Sequence, residues 1–135
     1  MATKSVAQKL LVRPGSRVWI SDPAYLPLVA GLPADADTAA GPGDADVALA
    51  FAEDEAAARA LLARHADALR QAPVAWIAYP KGNRSDINRD TLWPLAAAFG
   101  LRPNAQVAVD DRWSALRFRA LRDGEAPFGG GSAAP

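Results

Sequence analysis

The sequence contains no cysteine and a single histidine among its 135 residues. Disulfide scaffolds, zinc ribbons, iron–sulfur sites and thiol catalysis are therefore excluded, because each needs cysteine or several Cys and His ligands. Positive charge is not in excess either, since 15 Lys and Arg balance 15 Asp and Glu and the isoelectric point is near 6.6. Proteins that bind nucleic acid through bulk charge are basic, so no nucleic-acid partner is expected.

Long apolar runs are also missing. No stretch approaches the ~20 apolar residues of a membrane span, and residues 1–11 lack the continuous apolar core of a signal peptide. We therefore expect no membrane partner and a cytoplasmic location. Alanine is the commonest residue and Arg far outnumbers Lys, a composition that is typical of high-GC bacterial genomes.

The length fits one domain, and the composition, 50% hydrophobic and 22% charged, is that of an ordinary globular chain. The last residues are rich in Gly, Ala and Pro and predict a flexible end. We expect a flexible N-terminus over residues 1–5, one domain over residues 6–122, and a flexible tail over residues 123–135.

Apolar runs bounded by turn residues predict a series of buried strands. These strands lie at residues 17–20, 45–52 and 74–79, with a weak strand near residues 38–40. Helices are predicted between them at residues 24–31, 53–70 and within 86–100. A helix cap near Asp90 or Thr91 would place Pro94 in the first turn of the last helix, where proline is tolerated.

The last two predicted strands, residues 105–109 and 114–121, form a hairpin. An apolar face favours the register that pairs Val107 with Leu116 and Ala105 with Phe118. This register places Arg117 opposite Gln106, where it could form an ion pair, contact a subunit or lie exposed. Strands alternating with helices indicate a parallel sheet that is covered on both faces. The predicted fold is a three-layer α/β sandwich, a mostly parallel Rossmann-like sheet ending in an antiparallel hairpin.

This order of elements resembles a shortened methyltransferase-type Rossmann domain. The resemblance to a small uncharacterised bacterial family, a domain of unknown function, is more specific and covers roughly residues 7–122. It is carried by residues 76–81 (WIAYPK), Asp86-Ile87, residues 107–118 (VAVDDRWSALRF) and the opening residues 9–10 and 13–15. The resemblance implies a fold and transfers no catalytic residue.

The loop after the first strand argues against a nucleotide cofactor. Rossmann-type sites place a Gly-rich turn there so that the backbone can approach the ligand. Residues 21–25 read Ser-Asp-Pro-Ala-Tyr and contain no glycine; Pro23 lacks an amide donor and Tyr25 would occupy ligand space. We therefore expect no cofactor, neither S-adenosylmethionine nor a dinucleotide.

The carboxyl ends of the predicted strands are where a ligand would bind in this fold. They carry Asp22, Glu53, Lys81 and Asp110, with Trp113 in the hairpin turn. Asp22 could instead cap a helix, Lys81 could be solvated, and Asp110 is a residue type that favours tight turns. Cover for the Trp113 indole could come from neighbouring loops, a ligand or another subunit.

Two further residues have both a functional and a structural interpretation. Asp86 could join the carboxyl-end site, or it could cap or turn the segment that follows. His65 falls within the apolar stripe of the 53–70 helix, where it could be a pH-sensitive or catalytic imidazole or a histidine packed by its ring. We favour the packed ring, because the middle of this helix lies far from the strand ends.

Two classes of function follow. The first is a non-catalytic binding or interaction module on a degenerate Rossmann-like scaffold. We favour this class because the glycine-rich cofactor loop is absent, and we therefore expect that the chain is not an enzyme. The second is a small-molecule enzyme or sensor, akin to a degenerate S-adenosylmethionine-dependent methyltransferase, that uses the carboxyl-end cleft. The predicted partner is a small molecule or a protein, a homodimer included. The candidate binding residues are Asp22, Lys81, Asp86, Asp110 and Trp113; no catalytic residue and no metal ligand is assigned.

Overall fold

A computed structural model describes residues 5–29, 31–82 and 85–121. Its helices are α1 (Val6–Lys9), α2 (Glu55–Gln71) and α3 (Arg89–Ala97), with 3-10 helices at Pro23–Leu28 and Pro42–Asp44. Its strands are β1 (Arg17–Ile20), β2 (Asp37–Thr38), β3 (Val47–Phe51), β4 (Val74–Pro80), β5 (Leu101–Ala108) and β6 (Trp113–Ala120). Residues 1–4 and 123–135, for which flexibility is predicted, lie outside the described residues, whereas Ser5 is the N-cap of α1.

The six strands form one sheet in the order β2-β1-β3-β4-β6-β5. The pairs among β2, β1, β3 and β4 are parallel, and β6 runs antiparallel to both of its neighbours. The predicted Rossmann-like sheet with a terminal antiparallel hairpin is confirmed. Every residue of β3 is buried, as expected for a central strand whose two faces are covered.

Helices cover both faces of this sheet. On one face, α2 and α3 bury residues such as Leu62, Leu69 and Leu92. On the other, α1 and the first 3-10 helix cover a second core that contains Leu10 and Trp76. Helix α2 forms because its residues are mostly strong helix formers, and its N-terminus is capped by Asp54, which accepts a hydrogen bond from the Ala57 amide at 2.7 Å.

Two helix predictions are corrected. The segment after β1 is a 3-10 helix that ends at Leu28, before the predicted end at residue 31, because Pro27 lies inside it and cannot donate a helical hydrogen bond. Helix α3 begins after Asn88, whose side chain accepts from the Thr91 amide while the Thr91 hydroxyl accepts from the Asn88 amide. This reciprocal cap places Pro94 within the helix rather than in its first turn.

The hairpin register differs by one residue from the prediction. Leu116 lies opposite Gln106, and Arg117 lies opposite Ala105 rather than Gln106. The prediction assumed one apolar face, but β6 lies between β4 and β5 and is buried on both faces, with Ala115 in one core and Leu116 in the other. An apolar pattern on both faces does not discriminate between registers that differ by one residue.

Candidate functional site

The order of the strands places a crevice at the carboxyl ends of β1 and β3. The chain leaves β1 for β2 on one side and then returns to β3 on the other, which makes this the topological switch point where ligands bind in open α/β sheets. The two strand ends are tied together: the Ser21 amide donates to the Leu49 carbonyl at 3.0 Å, and the Phe51 amide donates to the Ser21 hydroxyl at 2.8 Å.

The loop after β1, where a Rossmann-type fold would bind a nucleotide, forms the start of a helix instead. Asp22 is the N-cap of the first 3-10 helix, and its carboxylate accepts a hydrogen bond from the Ala24 amide at 3.0 Å. Pro23 begins this helix and offers no amide to a ligand. Asp22 is exposed at the rim of the crevice, so the capping role and a position at the carboxyl end coexist.

Tyr25 occupies the crevice itself. Its ring stacks on Phe51 with the centroids 4.4 Å apart and the planes 9° from parallel, and it meets the edge of the Trp113 indole at 5.3 Å. Its hydroxyl lies close enough to the Glu53 carboxylate for that group to perturb its pKa. Burial, the nearby Glu53 carboxylate and the negative charge of Asp22 raise the pKa of Tyr25 to about 12, partly offset by the positive charge of Arg112. The phenol therefore stays protonated and cannot act as a base at neutral pH.

Trp113 is covered by its own chain. The side chain is 3% exposed, and Phe51 lies against it in an edge-to-face contact at 5.1 Å. The Arg112 guanidinium lies over the indole ring, 5.9 Å from its centre. Neighbouring segments of the chain therefore cover the indole, and its face is not open to a ligand at the rim.

Three more of the candidate residues lie at this carboxyl edge and form hydrogen bonds that hold its loops: Asp110, Lys81 and Asp86. The Asp110 carboxylate accepts from the amides of Arg112 and Trp113 at 2.8 and 2.7 Å, which fixes the hairpin turn. The Lys81 amide donates to the Arg112 carbonyl at 2.7 Å. Asp86 accepts from the Glu55 amide at 2.8 Å and so holds its loop to the start of α2. The structural interpretations of Asp110 and Asp86 thus have direct hydrogen-bond support, and the binding roles stay predictions.

Among the described residues, no group of three or more His, Cys, Asp or Glu side chains is placed to hold a metal ion. No helix in the same part of the chain is long and apolar enough to cross a membrane. Phe51 and Arg112 also contribute to this crevice, although neither is expected there from the sequence. Phe51 belongs to a fully buried strand and Arg112 to a turn, and neither position indicates a ligand site from the sequence alone.

His65 lies on α2, half-buried, with its ring 4.9 Å from the Trp19 ring in an edge-to-face contact. Burial and the neighbouring charge of Arg64 lower the pKa of His65 below its ordinary value of 6.5. Because the unfolded chain then binds more protons than the folded one, stability should fall as the pH drops below 6.5.

The His65→Leu variant should keep or gain stability at pH 7, since leucine fills a similar volume without a polar ring. It should also lose less stability than the wild type between pH 7 and pH 5. Urea unfolding at both pH values measures this difference. A loss above ~2 kcal/mol at pH 7 would instead mean that the imidazole nitrogens hold a buried hydrogen-bond network.

Comparison with solved structures places this architecture among Rossmann-like proteins. A protein in the NADB-Rossmann superfamily from Streptococcus agalactiae is 16% identical, with 89% of this chain and 69% of that chain covered at a TM-score of 0.55. A TehB-like SAM-dependent methyltransferase from Corynebacterium glutamicum is 11% identical, with 84% and 85% covered at a TM-score of 0.51. No protein-family model and no curated protein matches the sequence, so the resemblance to the small bacterial family stays a prediction. At these identities the comparison shows the fold: the chain has a Rossmann-like, methyltransferase-like α/β architecture.

Proposed function

We propose that this chain is a non-catalytic binding module whose Rossmann-like crevice is filled by its own aromatic side chains. The observation that carries the proposal is the position of the Tyr25 ring at the switch point, where it stacks on Phe51 and contacts the edge of the Trp113 indole. A nucleotide in this crevice would have to displace that ring from its contacts with Phe51 and Trp113.

The loop chemistry supports the same conclusion. A Rossmann-type site uses glycines and free backbone amides at the end of the first strand. Here the Ala24 amide donates to Asp22 and Pro23 has none to offer. Tyr25 has a pKa of about 12 and holds its proton too tightly for general-base catalysis.

The alternative is a small-molecule enzyme or sensor that still uses the carboxyl edge. An apolar cavity of about 320 Å³ beside the crevice favours it, and so does the fold shared with an S-adenosylmethionine-dependent methyltransferase. The cavity lies between β1 and the first 3-10 helix and is lined by Val18, Ile20, Pro23, Leu26, Thr38 and Ala39. Its size is at the lower end of the range for small-molecule pockets, about 300–1,000 Å³.

The experiment that separates these functions is a thermal shift with S-adenosylmethionine. The wild-type protein should show no rise in melting temperature at millimolar ligand, because the crevice is filled. A dissociation constant below about 100 μM would raise the melting temperature by several degrees and would overturn the proposal.

Two variants sharpen this experiment. Tyr25→Ala empties the crevice, whereas Tyr25→Phe removes only the hydroxyl and keeps the ring stacked on Phe51. A shift with S-adenosylmethionine in Tyr25→Ala, but not in the wild type or Tyr25→Phe, would identify the Tyr25 ring as the group that closes the site. Native mass spectrometry of freshly purified protein adds an independent readout. A bound metabolite would favour the sensor, and a stable homodimer without one would favour the interaction module.

A further inference from the structure

A second cleft lies at the opposite, amino edge of the sheet, between the turn that follows α1 and the first residues of β3 and β4. Its volume is about 530 Å³, within the range of small-molecule sites. It is lined by Leu11, Arg13, Pro14, Gly15, Ser16, Asp46, Val47, Pro73, Val74 and Arg117. No part of it belongs to the crevice filled by Tyr25.

Two arginine residues line this cleft. Arg13 is exposed on the turn after α1, and Arg117 is half-buried on β6. The ion pairs found among the described residues are Arg59–Glu55, Arg70–Asp67 and Arg89–Asp90, so none of them neutralises either arginine of the cleft. Arg117 makes a long hydrogen bond, 3.5 Å, to the Pro73 carbonyl, and most of its donor capacity is left for another acceptor.

The carboxylate in the cleft is already engaged. Asp46 accepts a hydrogen bond from the Arg17 amide at 2.8 Å through its Oδ2, and this bond fixes the side chain at the edge between β1 and β3. Among the lining side chains, two arginines stand against this one carboxylate. The Asp35 carboxylate lies beside Gly15, at the margin of the cleft. The cleft thus has a cationic part, formed by Arg13 and Arg117, and an apolar wall, formed by Val47 and Val74.

The backbone on one side of the cleft is strained at Leu11 and is held in place by hydrogen bonds. Leu11 adopts a left-handed conformation, φ 70°, at a position where helices usually place glycine. The Val12 amide donates to the Ala7 carbonyl and the Leu11 amide to the Gln8 carbonyl, which closes α1 at this point. The following turn is closed by the Arg13 amide, which donates to the Ser16 hydroxyl at 3.0 Å. These bonds hold Leu11 and Arg13 at the cleft.

We propose that this cleft binds a small organic anion, a carboxylate or phosphate attached to an apolar group. The guanidinium groups of Arg13 and Arg117 pair with the anionic head, since guanidinium is matched in shape and charge to carboxylate and phosphate oxygens. The apolar part of the ligand lies on Val47, Val74 and Pro73. The inference is independent of the Tyr25 crevice, because the two sites lie at opposite edges of the sheet.

The test is a titration of the full chain with phenyl phosphate and with benzoate, followed by amide NMR shifts and calorimetry. At least one of the two should shift amides of residues 11–16, 46–47 and 73–74, while benzyl alcohol, which has no charge, should not. Arg13→Gln and Arg117→Gln should each weaken binding by about tenfold or more. Arg64→Gln, an exposed arginine on the opposite face of the sheet, is the matched control and should leave the affinity unchanged.

Several results would overturn the proposal. One is a lack of binding by both anions, and another is an affinity that is equal in the wild type and Arg13→Gln, which is exposed and should fold normally. Shifts confined to the carboxyl edge would reassign the ligand to the other site. Inorganic phosphate binding as tightly as phenyl phosphate would show that the apolar wall takes no part.

Discussion

The Trp113→Ala variant should lose about 3–5 kcal/mol of folding free energy, the range for a buried tryptophan replaced by alanine. The indole is 3% exposed and contacts Tyr25 and Phe51 edge to face. Its removal would leave a cavity between β6 and the first 3-10 helix, and neighbouring rings that are stacked on each other could not collapse to fill it. Urea unfolding of the variant measures this loss.

Lys81→Ala is the control for this prediction. Its side chain is replaced, but its amide can still donate to the Arg112 carbonyl, so the loss should stay within ~0.5 kcal/mol. Light scattering of both variants should show the assembly of the wild type. If Trp113→Ala kept its stability and changed its oligomeric state, the indole would have to serve a partner at the surface, which contradicts its burial here.

The buried strands β1, β3 and β4 could be predicted from the sequence because each is a short apolar run between turn residues. The hairpin register could not, since β6 places apolar side chains in both cores, Trp113 and Ala115 in one and Leu116 and Phe118 in the other. The position of Pro94 in its helix could not be predicted either. The cap formed by Asn88 and Thr91 fixes the start of α3, and the helix accommodates the proline beyond its first turn.

The candidate site was predictable in part. The missing glycine and the bulk of Tyr25 were visible in residues 21–25, and they indicate a closed crevice. The cover of Trp113 could not be predicted, because Phe51 and Tyr25 contact it only when β3 and the first 3-10 helix meet at the sheet edge.

The amino-edge cleft could not be predicted because Arg13 and Arg117 are distant in sequence. They share a cleft only because β6 runs antiparallel to β4 and brings Arg117 back to that edge.

The Trp76→Ala variant should be destabilised by a similar amount, about 3–5 kcal/mol, and should also disturb the amino-edge cleft. Trp76 is 1% exposed in the central strand β4, and its indole Nε1–H donates to the Leu10 carbonyl at 2.9 Å. This bond joins α1 to the sheet one residue before Leu11, which lines the cleft. Loss of the indole therefore leaves a cavity in the core and also removes the hydrogen bond that holds the end of α1 beside the cleft.

Trp76→Phe separates the two effects, because it keeps an aromatic ring in the core and loses the donor. A buried carbonyl left without its partner costs about 1–3 kcal/mol, so this variant should be less destabilised than Trp76→Ala. Amide hydrogen exchange should quicken in residues 6–12 more than in α2, since α1 loses its link to β4 whereas the capping bond from Asp54 is untouched. Phenyl phosphate or benzoate should also bind more weakly to Trp76→Phe than to the wild type. Wild-type stability together with wild-type exchange over residues 6–12 would show that the indole bond does not hold α1, and that the cleft wall is fixed by the turn alone.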